Sequence, residues 1–329
     1  MAQSSQDILT SAFGDDFNPR AYLATYYPAE VQAEKLLEAL HSLDVKYHAG
    51  QPTDIKYLLK STGIPSELIE NLLILDFQRV IARRLLAEYP RGDITTVDVG
   101  GGPTAYQHIA MSLAANKIIH SEFLERNREE VDRWLRNEQG AYDWSGYFTI
   151  IRLMLLKDAE YQAVLMSHLA ASDPAIRAHA QLVDALLRNP DLEAYKTKVR
   201  HCVSGNVIFG DIFEQNLGNP MELCGLADVV TSNFAVESAT GDMAQWEKGM
   251  RNIAALVKVG GFLAVAAIRN AGWYLVGDKK VPAVQIDESA IANFCAAERF
   301  TIVETRVLTG SNQDKHGYDG VVFALAKKE

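Results

Sequence analysis

Apolar and polar positions along the chain change period near residue 93. Before it, the spacing is helical. In "AEVQAEKLLEALHSL" the apolar residues Val31, Leu36, Leu37, Leu40 and Leu43 form one stripe, which predicts a helix over 29–43. "SELIENLLILDFQRVIARRLLAEY" predicts a second helix over 66–89 with Ser66 as its N-cap, and "GQPTD" between them reads as a turn. From residue 93 the pattern becomes alternating elements. "DITTVDVG" is a short β-branched apolar run closed by glycines, the mark of a buried parallel strand. "TAYQHIAMSLAAN" predicts a helix, "KIIHSEF" a second strand, and "RNREEVDRWLRNE" a charged second helix.

Helical patterns such as "AIRAHAQLVDALLRN" then interrupt the alternation over 149–205. It resumes with the strands "NVIFGD" and "ADVVTSNF", a helix from about Asp242 to Val257, and the strand "GFLAVAAI". Near the end "TIVETRVL" and "GVVFALAKK" read as two strands joined by a long polar loop. The sum is a doubly wound α/β sheet with a closing antiparallel strand. We divide the chain into a helical N-terminal region, 1–92, and a sheet domain, 93–329, that carries the helical insertion. Sheets of this type bind ligands beyond the carboxyl ends of their strands.

Composition narrows the partners. With 329 residues, 48% hydrophobic, the chain can bury a sizeable core. A formal charge of -10 without a basic tract argues against nucleic acid. Cys202, Cys224 and Cys295 have no metal-ligand spacing and are odd in number, so we expect a reducing, cytoplasmic setting and no metal. The first residues lack the signature of a secretory signal, and no apolar run is long enough to cross a membrane.

The strand exits carry the candidate chemistry. Gly100, Gly101 and Gly102 follow the first strand, where bare main chain permits a tight turn and close approach of a ligand. Glu122 ends the second strand, 22 residues after Gly100, where a carboxylate can accept from ribose hydroxyls. Together they point to an adenosine ligand. Ala105 fills the third fingerprint position of a dinucleotide loop, so glycine spacing alone leaves NAD open. Asp98 discriminates: a carboxylate before the loop repels a pyrophosphate but attracts an ammonium, which favours S-adenosylmethionine. An anchoring hydrogen bond to the loop is the alternative role for Asp98. Asp211, after the third strand, either accepts from an adenine amino group or caps a helix. "TSNFAVES" places Asn233, Phe234 and Glu237 at the fourth exit.

At these residues the chain resembles the family of small-molecule N-methyltransferases that includes nicotinamide, phenylethanolamine, indolethylamine and thioether methyltransferases. The likeness runs through "FNPRAYLATYY", "VDVGGGPTAYQ", "SEFLERNREEVDRWLRNEQGAYDWS" and "VKVGGFLAVAAIRNAGWYLVG", in that order. It implies a Rossmann-like S-adenosylmethionine-dependent methyltransferase sheet under an N-terminal lid. By that resemblance Tyr22 and Tyr27 would close over the cofactor, with Tyr22 also near the acceptor. Gly100, Gly101, Gly102, Thr104 and Tyr106 would contact its methionine part, Glu122 and Asn127 its ribose, and Asp211 and Ile212 its adenine. Asn233 would lie beside it. Phe234, Glu237, Arg269 and Tyr274 would border the acceptor, with Asn270 and Trp273 nearby.

The implied reaction is methyl transfer to a small amine, with S-adenosyl-L-homocysteine as the second product. Methyl transfer from a sulfonium is an in-line displacement, so alignment and exclusion of water are the main tasks. A protonated amine lacks a lone pair, and Glu237 is the candidate to take its proton. Ala267 and Ala271 stand where nicotinamide methyltransferases carry Asp and Ser, which argues against nicotinamide as acceptor. O- or S-methylation, or cofactor binding without turnover, are the alternative functions.

Overall fold

The structure is a computed structural model that describes residues 14, 17–27, 52–54, 66–276, 279–310 and 317–329. It opens with helix α1 (Pro19–Tyr26), whose N-cap Asn18 accepts from the backbone N–H of Arg20 and Ala21 while Pro19 occupies the first turn. Strand β1 (Pro52–Asp54) and helix α2 (Ser66–Glu88) follow. Strand β2 (Ile94–Val99), the four-residue helix α3 (His108–Met111), strand β3 (Ala115–Glu122) and helix α4 (Glu125–Leu135) come next. Four helices then run in succession: α5 (Ser145–Lys157), α6 (Ala159–Leu169), α7 (Pro174–Arg188) and α8 (Glu193–Val203). Strands β4 (Val207–Phe209) and β5 (Ala227–Asn233), helix α9 (Met243–Leu256) and the long strand β6 (Val257–Arg269) rebuild the alternation. The hairpin β7 (Trp273–Val276) and β8 (Lys279–Pro282), helix α10 (Glu288–Ala297), and strands β9 (Phe300–Thr309) and β10 (Gly320–Lys328) complete it.

The eight-stranded sheet has the order β1-β9-β10-β6-β5-β2-β3-β4. Strands β4, β3, β2, β5 and β6 run parallel, and β10 pairs antiparallel with both β6 and β9. The α/β class and the closing antiparallel strand are as the sequence predicts. The strands alternate their apolar residues between two covered faces, as a sheet buried on both sides requires. Phe262, Ala264 and Ala266 of β6 and Phe323 of β10 join a core with α2 and α5–α8. Leu263, Val265 and Ala267, with Val97 and Val230, face α9 and α10 on the other side.

Three expectations change. Residues 52–54, read as part of a turn, pair in parallel with β9 at the sheet edge, where a proline is tolerated. The helix expected over 104–116 shrinks to α3, because Thr104 and Gln107 fold back onto the Gly101 carbonyl and Ala115 already starts β3. Ser66, expected as a cap, is the first residue of α2. The helix predicted over 29–43 and most of the polar loop before β10 lie outside the described residues. No helix among the described residues is long and apolar enough to cross a membrane.

Candidate functional site

A cavity of about 700 Å³ lies at the carboxyl ends of the parallel strands. Its floor is formed by Gly100–Gly102 after β2, Glu122 ending β3, Gly210–Phe213 after β4 and Asn233–Ala235 after β5. Its roof and far wall come from α1 (Tyr22, Tyr26), Tyr27, Glu70 and Asn71 of α2, Ile268 of β6, Tyr274 of β7 and Tyr318. Among the described lining residues three are carboxylates, Glu70, Glu122 and Asp211, and none is Lys, Arg or His.

The glycines have separate reasons. Gly100 has φ +68, and a Cβ there would stand 2.4 Å from the Ala235 Cβ. A Cβ on Gly101 would meet Asp98 Oδ2 and the His120 ring at 2.3 Å. Gly102, at φ +61, has nothing within 4 Å of a Cβ position. The turn is therefore packed from below and bare on its open side.

Glu122 ties this turn to α4. One carboxylate oxygen accepts from Gly102 N at 2.9 Å; the other accepts from Leu124 N at 2.8 Å and Asn127 Nδ2 at 3.1 Å. Bonds to a charged acceptor are the stronger kind. The Asn127 Oδ1 is buried and makes no hydrogen bond among the described residues. An orphaned buried acceptor beside a carboxylate that keeps lone pairs suits ligand hydroxyls. Asp211 turns its own loop, with Oδ1 accepting from Phe213 N at 2.8 Å.

The lid is aromatic. The Tyr27 ring lies 5.2 Å from that of Tyr106 and 5.9 Å from that of Trp144, and the Tyr22 ring 4.9 Å from that of Tyr26. Enclosure raises the Tyr22 and Tyr27 hydroxyls well above their ordinary pKa, so both stay neutral donors. Arg20 fastens α1 to α4 through Glu130 at 3.0 Å, and Tyr26 donates to the Leu275 carbonyl at 3.0 Å. Tyr142 donates to the Tyr27 carbonyl.

Of the residues singled out from sequence, Tyr22, Tyr27, Gly100, Gly101, Gly102, Thr104, Tyr106, Glu122, Asn127, Asp211, Ile212, Asn233, Phe234 and Tyr274 lie together on this cavity. Four do not. Arg269 is outside the lining, paired with Glu288 at 2.8 Å and Asp319 at 2.7 Å, so it is not free to meet an acceptor. Asn270 donates to the same Asp319 at 2.9 Å, and Lys280 stands over the Trp273 ring at 3.8 Å. Asp98 is buried under the turn rather than facing the ligand; it accepts from Thr231 Oγ1 at 2.7 Å and Gln107 Nε2 at 2.9 Å, which is the anchoring role.

Glu237 lies one layer behind the wall, buried, with Oε1 accepting from Ile268 N at 3.0 Å. Burial pushes its carboxyl up to about 7, and the Ile268 N–H only partly offsets that. Its neighbour Ser238 lines the cavity, and Tyr274 donates to the Ser238 carbonyl at 2.9 Å.

Sequence reasoning missed Glu70, Asn71, Tyr26, Phe213 and Tyr318. Tyr318 donates to the Glu70 carboxylate, 2.8 Å and 3.0 Å from its two oxygens. The available signal was "ENLLILDF", where a buried acid and amide open an otherwise apolar run.

The NNMT/PNMT/TEMT family model matches residues 51–164 and 178–329. Phenylethanolamine N-methyltransferase of Macaca mulatta is 25% identical over 253 residues, covering 75% of this chain and 78% of that one. Nicotinamide N-methyltransferase of Homo sapiens is 22% identical over 315 residues, 95% of this chain and 93% of its own. Indolethylamine N-methyltransferase of Oryctolagus cuniculus is 27% identical over 246 residues, 73% of this chain and 78% of its own.

Proposed function

We propose a function from one premise: this chain belongs to the NNMT/PNMT/TEMT family. It is an S-adenosylmethionine-dependent methyltransferase that N-methylates a small amine. The observation that carries the reading at this site is the cavity's one-sided charge: three carboxylates, a tyrosine-rich wall and no cation among the described lining residues. Such a wall suits ligands that bring positive charge, and both reactants do.

S-adenosylmethionine, when bound, supplies a methyl group on a positively charged sulfur. We assign its ribose hydroxyls to Glu122 and the orphaned Asn127 Oδ1, its adenine to Asp211 and Ile212, and its methionine part to Gly100–Gly102, Thr104, Tyr106 and Asn233. Tyr22 and Tyr27 cover it and exclude water. The acceptor lies against Phe234, Ile268, Tyr274 and Tyr318, with Glu70 as the carboxylate that holds its ammonium. Glu237 takes the proton that frees the lone pair, across the wall at Ser238, through a hydroxyl or one water. Its pKa near neutrality fits a group that must accept a proton and give it up again. Three unpaired cysteines fit a reducing, cytoplasmic setting.

The deciding experiment is a titration with S-adenosylmethionine followed by turnover on a panel of primary, secondary and aromatic amines. Glu70→Gln is expected to raise the KM for a cationic amine about tenfold while the cofactor Kd stays within about twofold. Cofactor binding with no transfer to any amine, alcohol or thiol would refute the enzymatic reading.

A further inference from the structure

Beneath the glycine turn, behind the cavity floor, is a closed polar layer that the assignment above does not use. His108, the first residue of α3, and His120, on β3, are both buried. Their rings stand nearly perpendicular, at 86°, with His108 Nε2 3.1 Å from His120 Nδ1. The other nitrogen of His120, Nε2, is 3.1 Å from the Gly102 carbonyl oxygen. Asp98 Oδ2 lies 3.5 Å from His120 Nδ1 and accepts from Gln107 Nε2 at 2.9 Å.

These contacts restrict where the hydrogens lie. A carbonyl oxygen only accepts, so His120 Nε2 must carry a hydrogen. His120 Nδ1 faces His108 Nε2 at 3.1 Å, and one of the two nitrogens must bring the hydrogen. Burial holds His108 neutral, its pKa pushed down to about 3, so its ring has one hydrogen. Placed on Nε2, that hydrogen meets the bare Nδ1 of His120. The opposite tautomer of His120 would set a bare Nε2 lone pair against the Gly102 carbonyl oxygen.

We propose that His120, kept in its Nε2–H tautomer by His108, is a positioning residue that sets the Gly102–Pro103 peptide for the cofactor. It rests on the cofactor assignment of the preceding subsection. Strand β3 grips Gly102 twice from one face: His120 takes its carbonyl, and Glu122, two residues on, takes its N–H at 2.9 Å. Thr104 Oγ1 and Gln107 Nε2 hold the preceding carbonyl, that of Gly101, at 2.7 Å and 2.9 Å. Gly102 is the member of the triplet with open space on its Cβ side, so side-chain packing does nothing to hold its peptide. The bond from below does.

The tautomer is read on the full-length protein by nitrogen-15 NMR of the imidazoles, with His120→Gln supplying the assignment. A protonated Nε2 on His120 is expected; a bare Nε2 overturns the proposal whether or not the cofactor assignment stands. Calorimetric titration of S-adenosylmethionine gives the second reading. His120→Leu is expected to raise Kd about tenfold or more, and His120→Gln, whose amide restores a donor at the ε position, to return it to within about threefold. Equal affinity in the two variants would make the role one of packing and overturn it. If His120→Leu does not fold, His108→Leu serves: tautomer mixing at His120 and a few-fold weaker Kd at unchanged kcat support the proposal, and an unaltered Nε2–H signal with unaltered Kd overturns it. A stoichiometric metal ion on the pair in purified protein would also overturn it. Failure of the wild-type protein to bind S-adenosylmethionine would instead sink the cofactor assignment.

Discussion

The two ends of the cavity are built differently. The end we assign to the cofactor is formed by consecutive strand exits, and polar bonds with defined partners hold it: Glu122 joins Gly102, Leu124 and Asn127, and Asp98 joins Thr231 and Gln107. The end we assign to the acceptor gathers side chains from five distant segments, among them Tyr22, Glu70, Phe234, Tyr274 and Tyr318, and its wall is mainly aromatic. A network of short-range bonds fixes a ligand's position. An aromatic wall around one or two carboxylates selects for charge and shape and tolerates changes of detail.

Substitutions that separate the two ends test this contrast. The largest effect is expected for Glu237→Gln: kcat falls roughly 100- to 10,000-fold, the contribution of a proton acceptor, while the cofactor Kd stays within about twofold. Equal loss of turnover and affinity would make Glu237 a structural residue.

The same carboxyl gives a stability signature. Its ordinary pKa is 4.5 and its value in the fold about 7, so the folded state holds the proton more tightly. The stabilisation is complete below about pH 4.5 and lost as pH rises through 7. The loss is on the order of 3 kcal/mol in the wild type. Denaturant melts across that range should flatten in Glu237→Gln; an unchanged slope would refute burial as the cause.

At the other end, Glu122→Ala is expected to weaken S-adenosylmethionine binding about ten- to a hundredfold, since it removes a charged acceptor shared by the turn and the proposed ribose contact. Calorimetry checks this, and unchanged affinity would dissolve the contrast. The smallest effect belongs to Arg269→Met, which breaks partly exposed ion pairs worth about 1 kcal/mol or less. The acceptor KM should not move. A clear rise in KM would return Arg269 to the pocket.

The polar strand exits were legible because their placement is local. A glycine triplet after one strand and an acid ending the next fall side by side once two parallel strands pair, and β2 and β3 do pair, with Val99 opposite Ser121. Asp98 was placed at the correct exit but on the wrong side of the turn. Strand alternation says that it faces opposite to Val97 and Val99; it does not say which face lies under the loop. Arg269 and Glu237 stand off the cavity wall for a related reason. The sequence puts both near the last strand exits, yet Arg269 meets Asp319, 50 residues on, and Glu237 folds back onto Ile268 N. Glu70 and Tyr318 lie 248 positions apart, and no spacing rule links them.

By itself the sequence determined the parallel sheet, its closing strand and the polar exits, because the periods of helix and strand and the conformational freedom of glycine act over a few residues at a time. The tertiary structure alone decided which carboxylates face the cavity and which are buried behind it. Burial, pairing and a shifted pKa depend on what the rest of the chain packs against each group.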